Sequence, residues 1–254
     1  MQQLPPLVLI HGFPLDAAMW DPQCAALSGL TDVIAEDLRG FGGDQRELPA
    51  IMPMRSHAAD IKEMLDARGI ERAVLCGLSM GGYIAMAFAE RWPERLAGII
   101  LCNTRSNADD EDGVAARHAM ASNAREKGME VIARGMVPNL LSEATRTERP
   151  AVGELVTRII ARQKPETVAA TSLGMAQRPD RLPALQRLKV PALIITGEHD
   201  TLMPLPTSQV MAEAIPGSRL VVLPGAGHLT NLEVPDLFNR SVQLFMEEHF
   251  ARSV

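Results

Sequence analysis

Six short apolar runs punctuate this chain, at residues 7–10, 33–35, 73–76, 98–102, 192–196 and 219–223, and turns and longer stretches of helical periodicity alternate with them. A strand that is apolar at every position must be covered on both faces, as in a parallel sheet packed between helix layers. The expected fold class is therefore α/β, with a mostly parallel central sheet flanked by helices. Helical patterns at 56–68, 81–91 and 235–249 fill the intervals, and Gly69 and Pro93 stand where the first two should stop.

One stretch breaks this rhythm. From 104 to 188 there is no convincing strand, only helical patterns such as 114–127, 130–136 and 165–176. A strandless connection of this length is unusual in a compact domain unless it covers a functional site. Residues 1–103 and 189–254 are accordingly read as one core domain, and 104–188 as a helical cap inserted between two strands. The acidic cluster Asp109, Asp110, Glu111 and Asp112 opens the cap, and is read as helix capping and dipole matching in preference to metal binding.

The chain has 254 residues, 46% hydrophobic and 22% charged, and a formal net charge of −6 without any run of Lys or Arg. Such a surface is not built for nucleic acid or anionic membrane. The start of the chain lacks a cationic segment, and the apolar run 7–10 is too short for a leader core or a membrane span, so a soluble cytoplasmic protein is expected. Cys24, Cys76 and Cys102 have unrelated spacings and are read as buried free thiols.

Catalytic signals concentrate where apolar runs end. The segment Cys76-Gly77-Leu78-Ser79-Met80-Gly81-Gly82 places GxSxG directly after a strand pattern and before a helical one. A nucleophile on so sharp a turn needs glycines where a Cβ would clash, and the following helix aims its N-terminal amides at a forming oxyanion. Ser79 is the candidate nucleophile and Met80 a candidate backbone donor. A serine hydroxyl needs a base, and in the chain order that accompanies a GxSxG elbow the acid and then the base follow the nucleophile, which removes His11 and His57. His118 falls in a cap helix and His249 near the C-terminus. His228, in a Gly-rich loop after the last strand, is the candidate base. His199 is read as a loop residue.

Asp200 ends the preceding strand and turn, and is the candidate acid, with Glu198 its nearest rival. Gly12 lets the chain after 7–10 bend so that the Phe13 amide points inward as the second oxyanion donor. Pro14 cannot donate, and His11 is read as a brace of this loop.

With HGF at 11–13, DLRGFG at 37–42, GLSMGG at 77–82, GEHD at 197–200 and GAGH at 225–228, the chain resembles the α/β-hydrolase superfamily over essentially its full length. It most resembles the small cap-bearing branch of carboxylesterases, 3-oxoadipate enol-lactonases and cofactor-free haloperoxidases. The resemblance implies the triad Ser79, Asp200 and His228, the oxyanion pair Phe13 and Met80, and a structural role for Asp37 and Arg39 as a bracing ion pair or turn. Serine at the elbow argues against the aspartate-dependent dehalogenases and epoxide hydrolases.

The expected activity is hydrolysis of carboxylic esters of small to medium acyl chain through an acyl-enzyme, without metal or organic cofactor. A lactone, enol-lactone or acyl-homoserine lactone, is the alternative substrate, and hydrogen peroxide replacing water would give perhydrolysis. A ligand receptor on the same fold is a rival of another class, separable by turnover. The cap has no aromatic residue, and Met129, Met136, Leu140, Leu141 and Met175 are candidate pocket residues, with plain helix packing the competing reading. A carboxylated lactone would call for a buried cap arginine. Arg105, Arg117, Arg125, Arg134 and Arg162 are available, and the sequence does not choose among them.

Overall fold

A computed structural model describes residues 4–251. Residues 1–3, part of the segment read against a leader, and 252–254 lie outside it. Six strands, β1 (Leu7–Ile10), β2 (Val33–Ala35), β3 (Ala73–Leu78), β4 (Leu96–Cys102), β5 (Ala192–Gly197) and β6 (Arg219–Leu223), form one sheet in the order β2-β1-β3-β4-β5-β6. Every pairing is parallel. The inner strands are buried at every position, as their unbroken apolar runs require. The outer strands β2 and β6 depart from the expected two-sided cover and are partly exposed, because an edge strand has a neighbour on one side only.

Right-handed crossovers dictate where the helices go. The chain steps outward from β1 to β2 through α1 (Asp21–Leu27), then reverses to β3 through α2 (Met54–Ala67). It continues in that direction through α3 (Met80–Arg91) and later α10 (Leu205–Ala214). The reversal puts α1 on one face, where α11 (Thr230–Glu233) and α12 (Pro235–Phe250) join it, and α2 against α3 on the other. The loops after β1 and β3 thus part at a topological switch point, where a crevice opens at the carboxyl edge of a parallel sheet.

Between β4 and β5 the described chain is helical: α4 (Glu111–Lys127), α5 (Met129–Leu140), α6 (Glu143–Glu148), α7 (Pro150–Ala161), α8 (Pro165–Ala176) and α9 (Leu182–Leu185). Helices α4 and α8 pack on each other, α5 packs on α7, and α9 leaves this group to pack on α3 and α10. Among the described residues no helix is long and apolar enough to cross a membrane.

Candidate active site

The turn between β3 and α3 is set by steric necessity. A Cβ on Gly77 would lie 2.2 Å from the Gly81 carbonyl oxygen, and one on Gly81 would lie 2.1 Å from that of Ile10. Neither position accepts a side chain, so the helix starts immediately against β1. Ser79 between them has φ 54° and ψ −112°, a left-handed conformation that costs a non-glycine residue about 1–3 kcal/mol and persists only where its surroundings enforce it. They do so here: its amide donates to the Cys102 carbonyl (2.8 Å), and its own carbonyl accepts from the Gly82 amide (2.9 Å) and the Thr104 hydroxyl (2.8 Å).

The histidine and the carboxylate come from the two turns beyond β6 and β5. His228 is buried, and its Nδ1 lies 2.9 Å from Asp200 Oδ2. An ionised carboxylate only accepts, so Nδ1 carries the proton and Nε2 is left as the basic nitrogen. Asp200 Oδ1 accepts from the Leu202 and Met203 amides at 3.0 Å each, and Oδ2 also accepts from Asn103 Nδ2 at 2.9 Å. Burial pushes the Asp200 carboxyl up, but the imidazole beside it and these hydrogen bonds outweigh burial and hold it below the ordinary range.

Two buried residues that frame this pair carry no sequence signal of their own. Asn103, with φ 47°, donates to Asp200 and to the Gly227 carbonyl and accepts from the Thr230 hydroxyl at 2.6 Å. Glu233 accepts from the amides of Gly227 (2.9 Å) and Leu229 (3.2 Å), on either side of His228, and of Ser142 (2.8 Å) beyond α5. One carboxylate thereby ties the histidine loop to the helical insertion. Glu198, the rival acid, instead braces the Gly225 amide at 3.0 Å and is half exposed.

The loop after β1 lies against the elbow: a Cβ on Gly12 would be 3.3 Å from the Leu78 side chain and 3.7 Å from Ser79 Cβ. His11 braces it, with Nδ1 donating to the Gly12 carbonyl (3.0 Å) and Nε2 accepting from the Leu38 amide (3.1 Å). Asp37 and Arg39 do not pair with each other. Asp37 accepts from the Ala17 and Gly43 amides, whereas Arg39 bonds Asp60 at 2.9 Å. The remaining histidines stand apart: His57 is buried against Phe41, His118 is exposed on α4, His199 is more than half exposed, and His249 packs on Phe245. Cys76 and Cys102 are buried with sulfurs 3.8 Å apart, and burial pushes the Cys102 thiol up; Cys24 is only half-buried, against expectation, because it lies beside the buried face of α1, which Gln23 and Leu27 form.

A cavity of about 330 Å³ joins these elements, with Ser79, His228 and Phe13 at its floor and Met136, Leu140 and Met175 from α5 and α8 on its wall. Met129 and Leu141 do not line it. Met129 lies two turns, about 10 Å, along α5 from Met136, and Leu141 is in extended backbone where the next side chain reverses direction. Both pack in the core instead. Tyr83, Arg105, Asp109, Gly113, Ala116, Arg117, Met120, Leu202 and Met203 complete the lining. Asp110 caps α4 by accepting from the Gly113 amide (2.8 Å), as the acidic cluster suggested, but Asp109 does something else. Its side chain is fully buried and meets Arg105, Arg117 (3.1 Å) and Arg178 (2.6 Å).

Residues 5–235 match the alpha/beta hydrolase fold family, and the chain belongs to it. Among solved structures it is similar to a thermophilic esterase from Thermogutta terrifontis with malate bound (38% identity, 99% of this chain and 92% of that one, TM-score 0.95). It is also similar to the enol-lactonase from Burkholderia xenovorans LB400 (31% identity, 96% and 92%, TM-score 0.89). A curated relative, 3-oxoadipate enol-lactonase 2 of Acinetobacter baylyi, is 29% identical over 96% of this chain and 89% of its own length.

Proposed function

We propose that this chain is a serine hydrolase that cleaves carboxylic esters of small to medium acyl chain. The observation that carries the reading is Ser79, held in a left-handed conformation at the mouth of a helix, sharing one cavity with a histidine whose Nδ1 is fixed on a buried carboxylate. His228 Nε2 takes the Ser79 proton as the hydroxyl attacks the scissile carbonyl. Asp200 holds the imidazole tautomer and stabilises the imidazolium. The same nitrogen returns the proton to the leaving alcohol, then draws one from the water that releases the acid. The amides of Phe13 and Met80 are the oxyanion donors, Met80 as the first residue of α3 with the helix dipole behind it.

A cavity of about 330 Å³ is at the small end of ligand sites, which supports a short acyl group. Its apolar side chains from α5 and α8 support residues 104–188 as the cap that bounds the acyl group. The second reading, a lactone substrate, is favoured by the enol-lactonases among the relatives and uses the same groups with the leaving alcohol tethered to the acyl chain.

A panel of acyl esters and lactones of graded length, assayed with wild type, Ser79→Ala and His228→Ala, tests both. Loss of about 10⁶-fold in kcat is expected in each variant. Wild-type rates in either, or a phosphonate adduct on a residue other than Ser79, would refute the assignment.

A further inference from the structure

The helical insertion brings an unbalanced charge to the cavity. Of the arginines that the sequence left undivided, Arg125 pairs with Glu166 on the surface, Arg134 is exposed beside Glu130, and Arg162 binds Asp16. Arg105 and Arg117 alone among those five line the cavity, and Arg178 stands behind them. All three converge on Asp109, so three guanidinium groups meet one carboxylate with an excess of two positive charges. Burial pushes the Asp109 carboxyl up, but Arg178 and Arg117 outweigh it and hold Asp109 ionised, well below the ordinary range.

Arg178 is committed elsewhere: it is sealed from solvent, donates to the Met175 and Asn107 carbonyls, and lies 4.2 Å over the Tyr83 ring. Arg105 and Arg117 are only about a quarter exposed, and each reaches Asp109 through one nitrogen. Arg105 Nε and the Tyr83 hydroxyl are buried without a hydrogen-bond partner among the described residues, and Tyr83 lines the same cavity. Asp110, Glu111 and Asp112 are exposed and do not line it. Asp200, the other nearby carboxylate, is buried behind His228. Surplus guanidinium donors beside an unpaired phenol, in a wall withdrawn from water, suit a planar anion.

We propose that Arg105 and Arg117, with the Tyr83 hydroxyl, form an anion subsite, and that the substrate is an ester or lactone bearing a second, ionised acid group. The apolar side chains of Met120, Met136 and Leu140 require the spacer between the two groups to be hydrocarbon. The inference rests on the hydrolase reading above, and names its substrate class.

Monomethyl esters of succinic, adipic and suberic acid, set against methyl butanoate, hexanoate and octanoate, measure it. At least one acidic ester is expected to exceed its neutral partner by about tenfold in kcat/KM. Arg117→Gln and Arg105→Gln should bring that ratio towards one, and Arg117→Lys should restore part of it, with thermal melts reporting folding. Calorimetry of adipate on the Ser79→Ala protein gives a readout free of turnover, and Arg117→Gln should abolish the heat. Equal rates for every wild-type pair, a ratio that survives both arginine substitutions, or absence of adipate binding would overturn the anion subsite. Failure of every ester, charged or neutral, together with saturable adipate binding, would instead overturn the hydrolase reading and leave the subsite standing.

Discussion

The turns at the carboxyl edge of the sheet and the helices of the insertion face each other across one cavity, yet they are held in place by different means. In the turns, backbone meets backbone: Gly77 and Gly81 press on neighbouring main chain, and Gly197 would place a Cβ 2.1 Å from the Gly227 carbonyl oxygen. In the insertion, side chains meet side chains, through apolar contacts among α4, α5, α7 and α8 and through ion pairs such as those at Asp109. Close backbone approach leaves glycines at fixed spacing. Side-chain contact leaves only a periodic pattern that many packings satisfy. The proposed chemistry falls in the first region and the proposed selectivity in the second.

The largest expected effect tests the first half of that contrast. Gly81→Ala must push its Cβ into the Ile10 and His11 carbonyls, which are main-chain atoms of β1 and the adjoining loop and have nowhere to go. We expect a loss of about 3 kcal/mol, at the upper end for overpacking, and collapse of ester hydrolysis with it, read from urea unfolding and initial rates. A variant with wild-type stability would mean that the elbow is not fixed by backbone contact.

The same contrast explains how far the sequence could be read. Ser79, Asp200 and His228 stand in short turns after strands, where motif and element order together locate them, and the structure brings them to one edge of the sheet. Strand ends extend one or two residues beyond the expected runs at β3, β4 and β5: Gly77 and Gly197 continue the ladders without an apolar side chain, and Leu96 pairs with Ala73 across an irregularity in the register. Asn103 and Glu233 escaped because each acts through partners distant in sequence: Asp200 is 97 residues from Asn103, and Ser142 is 91 from Glu233. Asp109 was hidden among acids whose local capping role belongs to Asp110, its partner Arg178 lying at the end of α8. Leu141 is grouped with Leu140 in the sequence reading, but α5 ends at Leu140 and Leu141 follows it in extended backbone.

Asp109→Asn probes the second region at its most buried contact. Removing the carboxylate leaves guanidinium groups facing one another, a loss of about 3 kcal/mol, at the low end for a buried pair because Arg105 and Arg117 are partly solvated. The effect carries a pH signature. An unfolded aspartate titrates at about 4, and the folded carboxyls of Asp109 and Asp200 lie lower. The folded state therefore binds fewer protons between the two values. Stability from both groups is complete above the unfolded value and is lost as pH falls through the folded ones. Urea midpoints followed from neutral pH into acid should decline in the wild type and decline less steeply in Asp109→Asn. Parallel curves would remove Asp109 from the account.

The smallest effect has the opposite sign, and comes from repeating the glycine substitution in the insertion. Gly135 lies within α5, exposed, and a Cβ there would meet no atom within 4 Å. With no contact to break, Gly135→Ala changes only the entropy of the unfolded chain and the helix propensity, which favours alanine by about 0.5–1 kcal/mol. A rise of a few degrees in Tm is expected, against the fall at Gly81. The insertion is not uniformly permissive, since Gly174 in α8 would drive a Cβ to 1.8 Å from the Met52 carbonyl oxygen, where the insertion itself rests on the core. If Gly135→Ala destabilises as Gly81→Ala does, then α5 is held by backbone contacts like those of the turns, and the division between the two regions fails.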